Sequence, residues 1–160
     1  MAESIKTILE AFKDALSQNA AILAWSQAAY GRAHKVYVGI DSRNPPAEAD
    51  CPCIRFEPVF CQYGRGVTQK ISNFAMWIEI YDEEFVQDPE TNAVQYLGVQ
   101  RMMDLLDLAV AALAAVDTGN ALLQDIAVEF ETVENFPFFI VGAPLTLVEP
   151  FTLGSVRTTL

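Results

Sequence analysis

Residues 70–81 read KISNFAMWIEIY, and their alternation decides the fold. Successive side chains of an extended strand point to opposite sides, so Phe74, Met76, Ile78 and Ile80 share one face. Trp77 and Tyr81 fall on the other face, where aromatics suit an interface. Upstream, Cys53 to Phe60 repeats the pattern. Ile54, Phe56 and Phe60 point one way, and Arg55 and Glu57 the other. The link Gln62-Tyr63-Gly64-Arg65-Gly66 is short and glycine-containing, so the two runs are expected to form an antiparallel hairpin.

Working outward, Lys35 to Gly39 (KVYVG) is a short strand, and Asp41 to Asp50 is a loop around Asn44-Pro45-Pro46. Ile5, Ile8, Leu9, Phe12 and Leu16 recur at helical spacing. Ser17, Gln18 and Asn19 interrupt that pattern, and Ala20 to Tyr30 resumes it up to Gly31, a C-terminal stop. The spacing leaves open one bent helix or two.

Beyond the hairpin, a helix is expected from Ala93 to Val116. Thr91 or Asn92 would cap it, Gly119 would end it, and Val99, Met102, Leu106, Val110 and Leu113 would form its buried stripe. Gln124 to Glu134 reads as a strand with Ile126, Val128 and Phe130 inward. Phe138 to Val148 reads as the last strand, bulged near Gly142. The fold class is therefore α+β. An antiparallel-rich sheet of about five strands carries helices on one face, in the order α-β-β-β-α-β-β. The reading is a single domain over 1–160, with 150–160 an extended tail. Its core would hold Phe56, Phe74, Met76, Ile78, Ile126, Val128, Phe130, Val99, Leu106, Val110 and Leu113.

Composition excludes several function classes. At 160 residues the chain buries ~70% of its unfolded surface and needs no disulfide or metal staple. Ten basic residues face 21 acidic ones, a net charge of -11. Tight nucleic-acid binding recruits clustered Lys and Arg, so it is not expected, and neither is an anionic membrane surface. The longest apolar run, Leu108 to Val116, is nine residues, whereas a membrane span needs ~20. Met1-Ala2-Glu3-Ser4 lacks the basic and apolar pattern of a secretory signal. Three cysteines would leave one over in a disulfide framework, so a reducing cytoplasm is the expected compartment of synthesis.

No catalytic residue, cofactor or metal is expected. His34, the single histidine, has no nucleophile elbow to serve and is expected at the surface. Cys51, Cys53 and Cys61 lack paired ligand spacing, so three reduced thiols are expected. Gly64-Arg65-Gly66 continues to neither a dinucleotide-binding nor a P-loop pattern. Glu79, Glu129 and Glu131 could pair for acid–base work, but on alternating strands they are simply outward positions. Asp82, Glu83, Glu84, Asp88 and Glu90 form an acidic loop without the spacing or glycine of a calcium site.

The segment GRAHKVYVGIDSRNPPAEADCPCIRFEPV, residues 31–59, runs from helix end to strand, Pro-Pro loop, acidic-Cys-Pro step and strand. With the hairpin, helix and two closing strands after it, this order resembles the tail terminator or tail completion proteins of long-tailed bacteriophages and prophages. The resemblance covers most of the chain as an element order and carries over no individual functional residue. It implies a non-enzymatic virion subunit, assembled in the bacterial host cytoplasm. That subunit forms a ring, typically hexameric, which caps the tail tube and joins it to a head-completion or connector protein. It also gives the acidic loop a role as a surface that repels DNA.

Charge is unevenly spread along the chain. Residues 31 to 70 hold six basic and four acidic side chains, and residues 102 to 160 hold one and eight. A head-to-tail contact between such regions can close a ring. The candidate interface residues are Arg55, Arg65, Trp77 and Tyr81. Two readings from other classes stand beside this one: a small acidic binding module for a basic partner, and an enzyme using the glutamate face.

Overall fold

The computed structural model describes residues 5–39, 41–63, 68–130 and 136–150. Gly64, Arg65 and Gly66 of the expected turn, Glu131, and residues 151–160 of the expected tail lie outside these.

The N-terminal pattern resolves into two helices. In α1 (Ile5–Ser17) the buried side chains are Ile8, Phe12 and Leu16, on one face as the spacing requires. Asn19 then starts α2 (Ala20–Tyr30). Its Oδ1 accepts hydrogen bonds from the Ala21 and Ile22 amides at 3.0 and 3.1 Å, satisfying donors that have no partner in a first helical turn. Gly31 closes α2 at φ 64°, a left-handed cap that suits glycine.

Strands β1 (Lys35–Val38), β2 (Cys53–Tyr63) and β3 (Gln69–Tyr81) follow. After them come β4 (Phe85–Gln87), β5 (Val94–Tyr96), helix α3 (Leu97–Ala114), β6 (Leu122–Ile126), β7 (Glu129–Phe130) and β8 (Phe138–Pro150). Among the described residues the main sheet has six strands, ordered β1-β2-β3-β8-β6, with β7 also on β8. Of these pairings only β1 against β2 is parallel. A second sheet, β4-β5, stands between the hairpin and α3, where a plain loop was expected.

Phe74, Met76, Ile78 and Ile80 are buried, as their alternation predicts. They meet Ile54 and Phe56 of β2, Val141, Ala143 and Leu145 of β8, and the helices on the same face. The Phe12 ring lies 6.1 Å from Phe56 and 6.3 Å from Phe74, tying α1 to both central strands. Fully burying a side chain of this size stabilises the fold by ~1.5–3 kcal/mol.

Several expectations fail for identifiable reasons. Phe60 is 52% exposed rather than inward. The β2–β3 register shifts between Pro58 and Phe60, and the extra residue flips every later side chain to the other face. Val94 to Tyr96 is strand, so the helix begins at Leu97 rather than Ala93, and Tyr96 occupies its cap position without a side-chain bond. Thr91 and Asn92 instead build the β4-β5 turn, with Asn92 at φ 54°. Ala115, not Gly119, closes the helix.

Val99 is exposed because Gly98 takes the inward position of the first turn. A Cβ on Gly98 would overlap the buried Phe139 ring. Val128 and Phe130 are 40% and 54% exposed. The expected strand breaks into β6 and β7 there, and Phe130 lies at the sheet margin although it pairs with Val141. The β3–β8 ladder runs without a bulge from Gln69↔Pro150 to Tyr81↔Phe138. Gly142 serves another purpose: it sits opposite Trp77, and a Cβ there would come within 2.9 Å of the indole.

Candidate functional site: the open face of the sheet

The side chains that alternate with the core residues form the other face of the sheet. Trp77 and Tyr81 lie there on β3, with Arg55 on β2 and Tyr37 on β1. From β8 come Phe138, Ile140, Pro144 and Val148, which alternate with the buried Phe139, Val141, Ala143, Leu145 and Leu147. Among the described residues none of α1, α2 and α3 packs on this side, but a short 3-10 turn at Glu48–Asp50 lies over its β1–β2 end, where Asp50 pairs with Lys35, and where Cys53 and Glu79 are buried. Pro45 and Pro46 cross one end, enclosing with Glu79, Phe138 and Ile140 a hollow of about 310 Å³. Leu122, which pairs with Val148 at the far margin, is 71% exposed. Alternating strands usually place polar groups on such a face; here aliphatic and aromatic groups occupy much of it.

Three of the four candidate interface residues share this face. Arg55 stands directly across from Trp77 in the ladder. Its guanidinium pairs with Glu79, Nη2 to Oε2 at 3.4 Å, with both side chains mostly buried. That pairing commits the Arg55 charge within its own chain. Trp77 is half-buried and lies over Gly142. The Tyr81 hydroxyl donates to Glu83 at 2.6 Å, and its ring meets Phe138 edge-on at 5.1 Å. The bond to Glu83 holds the Tyr81 phenol up at about 12. Arg65 lies outside the described residues.

The acidic residues divide. Asp82 is buried. Its carboxylate accepts from Arg101 Nη1 at 2.5 Å, Tyr30 hydroxyl at 3.3 Å and the Glu84 amide at 2.8 Å. Arg101 also bonds Glu84 at 2.7 Å and stacks over the Tyr30 ring at 5.5 Å. Burial and the neighbouring Asp82 raise the Tyr30 phenol well above its usual range. Asp82 is thus an internal joint between α2, β3 and α3, not a surface charge. Asp88 accepts from the Thr91 hydroxyl and the Glu90 amide, which shapes the β4-β5 turn and lowers its carboxyl. Glu83, Glu84, Asp88 and Glu90 remain exposed. No local pattern marks Asp82 as structural, because its partners lie 52 and 19 residues away.

A second internal pair was missed although the alternation contains it. Lys70 shares the core face with Phe74 and stands directly opposite Glu149. The two form a buried ion pair, and the Lys70 ammonium lies 5.7 Å from the Tyr63 ring.

His34 is buried, not at the surface. Its Nε2 bonds the Leu16 carbonyl at 2.9 Å, tying β1 to the end of α1, and burial lowers its pKa. Cys51 and Cys53 are buried free thiols and Cys61 is half-buried. Contact with Cys51 and burial raise the Cys53 thiol far above its usual range. Among the described residues no group of three or more His, Cys, Asp or Glu side chains is placed to hold a metal. Glu79 is neutralised by Arg55, while Glu129 pairs with Gly142 on the far side of β8. Glu131 lies outside the described residues. The hollow beside Glu79 has no second carboxylate among its described lining.

No helix among the described residues is long and apolar enough to cross a membrane. No protein-family model matches the chain, and no curated protein matches it.

Proposed function

We propose that the chain is a self-associating structural subunit, a tail terminator or completion protein whose ring caps a phage tail tube. In this reading the subunit acts without catalysis or cofactor. It meets the tube protein on one side and a head-completion or connector protein on the other, in a virion assembled in the host cytoplasm. The observation that carries the proposal is the part of this sheet face left uncovered. A monomer gains nothing from keeping Leu122 and part of Trp77 and Ile140 next to water, whereas a neighbouring subunit would bury them. The element order of the resembling family supports the same reading.

The exposed acids Glu83, Glu84, Asp88 and Glu90, together with a net charge of -11, suit a passage that DNA crosses without being held. Negative-stain electron microscopy of the purified chain tests the proposal. Rings with a central opening are expected. Isolated particles of single-subunit size at high concentration would contradict it and favour a monomeric binding module.

A further inference from the structure

The β4-β5 hairpin is constructed as an arm. Its base is fixed by Arg101 to Asp82 and Glu84, and by the Asp82 and Leu97 amides bonding Pro137 and Glu84 carbonyls at 3.0 Å each. Its tip is closed by the Asp88 amide on the Ala93 carbonyl at 2.9 Å. Yet all six strand residues are exposed, among them Phe85 at 58%, Val86 at 53% and Val94 at 50%. Isolated two-stranded hairpins are marginal in water, and one that leaves its apolar residues uncovered is suited to adding onto another sheet.

The main sheet offers two borders. At one, β1 bonds β2 through the Lys35 amide and the Gly39 amide that follows the strand, so the alternate residues Val36 and Val38 turn their amides outward. At the other, β6 and β7 are short and irregular, and residues 117–130 hold Asp117, Asp125 and Glu129 with no cation. The arm and its base expose Glu83, Glu84, Asp88 and Glu90, and residues 82–96 hold no basic side chain, so like charges oppose docking at that border. Around β1 the exposed cations Lys35 and Arg43 pair with Asp50 and Asp41 of the same chain, so this border is close to neutral and sets no block of like charge against the arm.

We propose that the β4-β5 arm of one copy adds as strands to the β1 border of a second copy. The arm leans toward β8, since Tyr96 stacks on Phe136 at 5.3 Å, whereas β1 is the opposite border of the sheet. Donor and acceptor therefore lie on different sides of the subunit. Such a contact is head-to-tail, the kind that closes into rings. The inference rests on the self-association reading and specifies its contact.

Two variants test it. Val38→Pro removes an amide that points away from β2, so the subunit should keep its unfolding midpoint while association weakens roughly tenfold or more. Single variants Val38→Cys and Val86→Cys, each in a Cys61→Ser background, are mixed with a short bis-maleimide. Cross-linking between copies is expected in the mixture and not in either variant alone. Cross-linking of Val38→Cys with itself would mean a two-fold β1 contact and overturn the proposal. An assembled protein that neither cross-links in the mixture nor responds to Val38→Pro would overturn the arm contact and leave the ring standing. A monomer under all conditions would overturn both.

Discussion

His34 shows how one residue couples pH to the fold. Burial disfavours its charged form, so the folded-state pKa lies below that of the unfolded chain. Its contribution is fully present above the unfolded value near 6.5 and is lost as pH falls through the folded one. Between pH 7 and pH 5 the wild type should therefore lose more stability than His34→Gln. Urea midpoints at both pH values check this, and equal losses would contradict it. Arg101 should matter more. Replacing it by Ala leaves Asp82 buried without its cation, a defect worth about 3 kcal/mol. Arg101→Lys should recover only part, because an ammonium cannot fork to Asp82 and Glu84 at once. A full rescue by Lys would show that the charge alone suffices.

Among the elements, Gly98 carries the sharpest expectation. Glycine to alanine in a helix ordinarily stabilises by up to about 1 kcal/mol. Here the added methyl meets the Phe139 ring, so Gly98→Ala should destabilise by about 1–3 kcal/mol, reversing the sign. Thermal melts decide it.

The same scale separates what the sequence could tell from what it could not. The strand at Lys70–Tyr81 and the first helix were legible because each has a strict period and one buried face. The caps at Asn19 and Gly31 were legible as interruptions. Phe60 misled because a single extra residue at Val59 changes the face without changing composition. Val94 to Tyr96 misled because three residues cannot establish a period, and only their pairing with Phe85 to Gln87 makes them strand. The sheet face bearing Arg55, Trp77 and Tyr81 could be read from alternation. The commitment of Arg55 to Glu79 and of Asp82 to Arg101 could not, since each depends on contacts between distant segments.

At the scale of the whole molecule, α1, α2 and α3 lie on one side of the sheet, where one apolar cluster forms. The other side keeps aromatic and aliphatic groups near water, and a hairpin extends from the end of β3. Both features find use if copies join head to tail, and neither is needed by a lone subunit. The most direct test is the native mass of the purified chain, by size exclusion with light scattering over a range of protein and salt concentrations. The account predicts one closed species with the mass of a ring, about six subunits as in the resembling family, and no continuous series of larger forms. A strict monomer at every concentration, or a dimer that grows no further, would contradict it.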